Sequence, residues 1–303
     1  MSGTGRPAGS EVAVGAVAHP GLPERPPAGR LRSVDRLMLV YVAVASVVAA
    51  TRLPTYPQCT WLLAANGLIL VLLALLARED MGPFGRAVRD VYPILLLPVL
   101  YAALDLLSGG GRVAVHDQTV QHWEALLFGG QPSRDWWRHA PSRFWSALLH
   151  GAYCSYYAIV VVPALLLLRR PDRQPLRRFV LAVMATFLTC YVCFIFFPVA
   201  GPYYEFPRPS GSFVDNPMAR LVYAMLAGGS SYGAAFPSSH VAASVAATIA
   251  GWSASRRLGV VLLVLTALLT VAVVYCQMHY AVDALAGLGV GLGVGGWAVK
   301  RER

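Results

Sequence analysis

Phe236-Pro237-Ser238-Ser239-His240 opens one apolar stretch of the chain, and His279-Tyr280-Ala281-Val282-Asp283 opens the next but one. Both stretches have the length and apolarity of a membrane-spanning helix, so each motif places a histidine at the same end of a span. His279 and Asp283 are four residues apart and therefore share one helical face. A carboxylate in that position holds the imidazole in one tautomer and stabilises its cation, as a nucleophilic or acid–base histidine requires. Ionisable groups at such depth are costly and read by default as functional.

The 303-residue chain as a whole is apolar. It is 56% hydrophobic and only 13% charged, with a mean hydropathy of +0.55. That composition excludes an ordinary soluble domain and predicts an all-α, polytopic membrane protein. Eight spans are expected, over residues 34–51, 60–77, 91–107, 143–168, 177–198, 237–254, 258–276 and 279–298. The third carries Pro93, Pro98 and Asp105, which weaken it as a span. In the last, Gly287, Gly291 and Gly295 recur at four-residue steps, the pattern of a tightly packed helix face. Residues 1–30, rich in Pro, Gly and Ala, are expected to be a disordered tail. Residues 31–90 are read as an N-terminal helix pair and 91–303 as a catalytic membrane domain.

The net charge of +10 does not point to nucleic acid, because the basic residues sit in short clusters between apolar runs. With eight spans and both termini on one side, that side receives all Lys and Arg residues except Arg52, Arg112, Arg134, Arg138, Arg143, Arg208 and Arg220, or 18 of the 25. The rule that basic loops stay inside makes the termini cytoplasmic. His240, His279 and Asp283 then meet at the extracytoplasmic face. Two long segments share that face. Residues 108–142 mix Trp123, Phe128, Trp136 and Trp137 with His116, Asp117, Glu124 and Asp135, as suits a helix in the headgroup region. Residues 199–235 are dense in Gly and Pro and carry Gly201-Pro202-Tyr203-Tyr204 and Arg208-Pro209. Tyr203 and Tyr204 fit a headgroup contact and an aromatic belt equally. His150, with Tyr153, Tyr156 and Tyr157, forms a polar stripe suited to lining a substrate entrance or to bonding between helices. Cys190 and Cys193 have C-x-x-C spacing inside an apolar run and are read as core packing.

Pro237 suits the first turn of a helix, where no amide donor is needed. The amides of Ser238, Ser239 and His240 would then be free, at the positive end of the helix dipole, to hold an anion. Phosphoryl transfer through a histidine needs an in-line nucleophile, an acid for the leaving oxygen and donors for the remaining oxygens. His279 with Asp283, His240, and the helix terminus with its serine hydroxyls supply these parts.

Phe-Pro-Ser-Ser-His followed by His-x-x-x-Asp resembles the second and third motifs of the type 2 phosphatidic acid phosphatase superfamily. The resemblance covers roughly residues 90–298. It is closest to the branch containing inositol phosphorylceramide synthase, through His279-Tyr280, Ala286-Gly287, Gly201-Pro202-Tyr203 and Phe128-Gly129-Gly130-Gln131-Pro132-Ser133. It implies a six-helix core, His279 as the nucleophile that becomes a phosphohistidine, Asp283 as its partner and His240 as the general acid. The chain departs from the phosphatase branch at three positions. Gly201 stands where that branch has a basic residue seven positions before Arg-Pro, and Ala272-Val273 replace its Ser-Arg pair. Arg208 is the candidate cation for the phosphate in their place.

The expected function is breakage of a phosphoester or phosphoanhydride bond of a lipid at the extracytoplasmic face. The acceptor is an alcohol, as in the synthase, or water, as in a lipid phosphate or isoprenoid diphosphate phosphatase. Ser238, Ser239, Arg208 and Tyr203 are the expected phosphate- and substrate-binding residues. No metal or other cofactor is expected. A lipid transporter or an inactive scaffold of the same fold is the alternative from another class.

Overall fold

The computed structural model describes residues 31–78, 82–229 and 231–302, so the expected tail over residues 1–30 lies outside the described residues. Apolar runs broken by Pro, Gly and charge fold as helices because only intrasegment hydrogen bonding satisfies the backbone in lipid. The first helices are α1 (Ser33–Arg52), α2 (Cys59–Leu76) and α3 (Pro83–Leu107). The short α4 (Asp117–Phe128) and α5 (Pro132–His139) follow, then α6 (Arg143–Leu168) and α7 (Gln174–Phe196). Next come α8 (Pro202–Glu205), α9 (Pro217–Gly229), α10 (Ser239–Ala254) and α11 (Arg256–Tyr275). The last stretch runs continuously through α12 (Ala281–Val290), a π-helical turn (Gly291–Gly295) and α13 (Gly296–Arg301). The protein is an all-α polytopic membrane protein, with seven helices long and apolar enough to cross a bilayer among the described residues.

The sequence predicts eight spans, and the difference lies at α10. This helix has 16 residues, below the roughly 20 needed to span. It is Ala-rich and buried almost throughout, and it packs on α6, α7, α11 and the α12–α13 stretch. Neighbouring helices rather than lipid surround it, so it need not match the bilayer thickness. The third span is also longer than expected. It begins at Pro83, crosses the expected domain boundary at residue 90, and accommodates Pro93 and Pro98 without a break.

Two polar devices hold the bundle. At one end Asp90 receives Arg32 (2.7 Å) and Arg177 (3.2 Å), while Tyr92 Oη donates to Asp35 Oδ1 (2.6 Å), tying α1, α3 and α7 together. At the opposite end Arg52 donates to the Leu107 carbonyl (2.8 Å) and the Ile195 carbonyl (3.1 Å), closing the C-termini of α3 and α7.

Glycine decides how closely α12 approaches α10. A Cβ on Gly287 would stand 2.6 Å from the Ser238 carbonyl oxygen, and one on Gly291 would stand 2.6 Å from Val245 Cβ. One on Gly295 would lie 2.7 Å from Ala246 Cβ. The expected tight face is therefore real, and α10 occupies it.

Candidate active site

The close α10–α12 crossing joins the two motifs. The His240 and His279 rings lie 5.6 Å apart, centroid to centroid. Asp283, fully buried, has Oδ2 3.4 Å from His279 Nδ1. The same Nδ1 lies 3.0 Å from the Ala235 carbonyl oxygen. A carbonyl only accepts, so Nδ1 carries the proton and Nε2 keeps a free lone pair. Ala235 is itself fixed, because its amide donates to the Val199 carbonyl (2.9 Å) in the single β-bridge among the described residues. The His279 amide donates to the Val273 carbonyl (2.8 Å). Backbone and side chain of His279 are thus both anchored by groups from other segments.

The α10 terminus differs from expectation. Pro237 precedes the helix, and Ser238 is the N-cap, its Oγ accepting from the Val241 amide (3.4 Å). The Ser238 amide is not free for an anion, since it donates to the Asp283 carbonyl (3.0 Å). Gly287 brings α12 close enough for that bond to form. The amides of Ser239 and His240 remain first-turn donors without an intrahelical acceptor. Ser238 and Ser239 are both buried.

His240 also lies among aromatic side chains. Its Nε2 lies 3.4 Å from Tyr153 Oη, and the Tyr156 ring is 4.3 Å away, centroid to centroid. Its Nδ1 is buried without a partner among the described residues. Ser239, His240, Tyr153 and Tyr156 line one end of a cavity of about 460 Å³ between α3, α6, α7, α9 and α10. Its further walls are apolar, formed by side chains such as Leu97, Val160, Val222 and Leu226, with Asp105 among them. Tyr157, Val161 and Met225 line it and are also exposed on the outside of the bundle, so it reaches the lateral surface. The stripe on α6 therefore divides. The three tyrosines line the cavity, while His150 is fully buried and bonds to the Ser146 carbonyl (2.8 Å).

Arg208 is exposed, with its guanidinium 4.4 Å from the centre of the Tyr203 ring, a cation–π contact. Tyr203 is buried and stacks on Tyr223. Gly201, at φ +93, has no room for a Cβ against Ala235 (2.9 Å), and Ala272 and Val273 are fully buried.

Three residues around the site carry more than their sequence signal suggested. Buried Asp117 accepts from the amides of Ala200 (2.7 Å) and Gly201 (2.8 Å) and from Tyr280 Oη (3.0 Å). Fully buried Glu124 accepts from the Ala281 amide (3.0 Å). Buried Gln277, at φ 60, accepts from Trp137 Nε1 (2.9 Å) and donates to the carbonyls of Pro202 (3.2 Å) and Pro207 (3.1 Å). The segment 108–142 is thus two helices docked on the site. Asp117 and Glu124, seven residues apart on one helical face, were the available signal.

No curated protein and no solved structure matches the chain. A family model described as the PAP2 superfamily matches residues 119–297, more than half of the chain and all of the site just described except Asp117 and the cavity wall on α3.

Proposed function

We propose, for a chain that belongs to the PAP2 superfamily, that it transfers the phosphoryl-bearing group of a membrane lipid through a phosphohistidine on His279. The observation that carries the reading is His279 itself. Its Nδ1 proton is held by the Ala235 carbonyl beside Asp283, which leaves Nε2 as an electron-pair donor 5.6 Å, ring to ring, from a second histidine.

In the first step Nε2 attacks phosphorus, the N–P bond forms and the P–O bond to the leaving group breaks. Protonated His240 gives its proton to the departing oxygen. Asp283 offsets the positive charge that develops on the His279 ring. In the second step an acceptor hydroxyl gives its proton to His240 and its oxygen takes the phosphoryl group, which restores both histidines. The amides of Ser239 and His240 supply donors to the phosphoryl oxygens, and Arg208 adds a charge from the 199–235 loop.

The cavity ends on His240, so the apolar part of the leaving or accepting alcohol lies in it. We favour an alcohol over water as acceptor, as in the inositol phosphorylceramide synthase-like branch, because Ala272 and Val273 offer no cation where hydrolytic relatives carry one. The active site is extracytoplasmic in this reading. Incubation of the purified protein with labelled phosphatidic acid and with phosphatidylinositol, each with and without a ceramide or diacylglycerol acceptor, tests it. Transfer yields a labelled lipid product by mass spectrometry only when the acceptor is present. Free phosphate from phosphatidic acid, or inositol phosphate from phosphatidylinositol, regardless of acceptor would mean hydrolysis, and no turnover of any of these lipids by a folded protein would remove the reading.

A further inference from the structure

Helix α4 lies outside the bundle, yet it sends two carboxylates into it. Asp117 opens the helix and Glu124 follows two turns later, and both are buried. Two buried acids on an outer amphipathic helix are costly unless each has donors. Asp117 has three, from the 200–201 turn and from Tyr280, whose hydroxyl also accepts from Gln121 Nε2 (3.0 Å). Glu124 Oε1 has the Ala281 amide, the first residue of α12. Tyr280 and Ala281 directly follow His279. Asp283 Oδ2 accepts from the Tyr280 amide (2.8 Å), so the same turn ties all three acids together. Among the described residues Asp283 Oδ1 is buried without a hydrogen-bond partner.

We propose that Asp117 and Glu124 are positioning residues, which clamp the first turn of α12 from outside and thereby fix the His279–Asp283 pair for attack on phosphorus. The proposal rests on the phosphohistidine reading. Neither side chain touches the phosphoryl group, and each acts through the backbone or the hydroxyl of a neighbour of His279.

The surroundings of Glu124 add a titration. From α12 it faces Asp283, and from α5 the Ser133 amide and Asp135, the latter paired with Arg134 at 2.7 Å. Burial, and then the charge of Asp283, push its carboxyl up to about 7. Above that pH Glu124 carries a negative charge beside Asp283, and below it Glu124 is neutral.

Orthovanadate mimics the five-coordinate phosphorus and needs no lipid, so its binding to the purified full-length protein in detergent tests the clamp. Wild type is expected to bind it and His279→Ala not to. Glu124→Ala and Asp117→Asn are expected to bind it about 10- to 100-fold more weakly, as small misplacements of a catalytic group do. Glu124→Gln keeps an acceptor for Ala281 and should match wild type near pH 6, where Glu124 is neutral. Near pH 8 it should bind the anion more tightly than wild type, because it lacks the carboxylate charge. Thermal melting of each variant separates loss of fold from loss of alignment. If folded Glu124→Ala and Asp117→Asn bind vanadate as wild type does while His279→Ala does not, the clamp is wrong and the nucleophile stands. If wild type fails to bind, or His279→Ala binds equally well, the phosphohistidine reading itself is overturned and the clamp goes with it.

Discussion

His279 is held at three points: its amide by Val273, its Nδ1 by Ala235 and its ring by Asp283. That degree of fixation is what a nucleophile needs, because misplacement by an ångström costs as much as loss of a donor. His279→Ala should lower turnover by several orders of magnitude, as removal of a covalent nucleophile does. Asp283→Asn should be nearly as severe while leaving the protein folded, since an amide keeps the shape but not the charge. Near-normal phosphoryl transfer by His279→Ala in a lipid phosphate assay would remove the mechanism. Arg208 poses a separate question, because its guanidinium rests on the Tyr203 ring. Arg208→Ala is expected to weaken transition-state stabilisation by on the order of 2–4 kcal/mol, with Arg208→Lys recovering only part of it. Arg220, paired with exposed Asp215 at 2.8 Å, should tolerate Ala and serves as the control. Equal, small effects on kcat/KM at both positions would show that Arg208 does not hold the phosphate.

Between elements, the crossing of α10 and the α12–α13 stretch sets the distance from His240 to His279. The glycines at this crossing differ in how much space surrounds them. A Cβ on Gly291 would meet the Ala242 carbonyl at 2.7 Å and Val245 Cβ at 2.6 Å, whereas one on Gly293 would meet nothing within 4 Å. Gly291→Ala should therefore force the helices apart and destabilise by about 1–3 kcal/mol, the usual cost of overpacking. Turnover should fall with it, because the Ser238–Asp283 bond and the facing histidines depend on the same approach. Gly293→Ala removes backbone freedom without a clash and should be neutral or slightly stabilising. Thermal unfolding in detergent together with turnover on both variants checks this. Comparable losses at the two positions would show that the close approach is not what matters. The short α10 belongs to the same picture: its first turn meets that of α12 because glycine-lined and alanine-rich surfaces let it sit at the centre of the bundle.

For the whole molecule, helix order puts the ends of α7 and α11 and the starts of α10 and α12 at one end, and the Arg32–Asp90–Arg177 network at the other. The asymmetry of basic residues leads us to propose an orientation with the ion network cytoplasmic and the histidine pair outside. In a background with the five native cysteines replaced, a cysteine at exposed Ser210 should react with an impermeant thiol reagent from outside intact cells. One at exposed Asp172, in the turn between α6 and α7, should react only after the membrane is opened. The reverse pattern would move the site to the inner leaflet, and with it the pool of lipids the cavity can draw on.

Apolar runs, their Pro and Gly punctuation and the two histidine motifs were enough to read an all-α membrane bundle, because backbone desolvation in lipid leaves helices as the economical answer whatever the side chains do later. The facing of His240 and His279, and the pairing of His279 with Asp283, were also legible, since a four-residue step and the number of intervening spans fix them. Span length failed as a criterion at α10, whose extent depends on being wrapped by other helices. The amide of Ser238 could not be known as occupied, because its acceptor, the Asp283 carbonyl, is 45 residues away and reachable only where Gly287 lacks a side chain. Gln277 carried no signal in the sequence, and Asp117 and Glu124 read as polar residues of a headgroup segment. Only docking of α4 and α5 on the site turns them inward, because a carboxylate acts on α12 through hydrogen bonds whose partners are 83 to 163 residues distant, and no local pattern encodes such a partner.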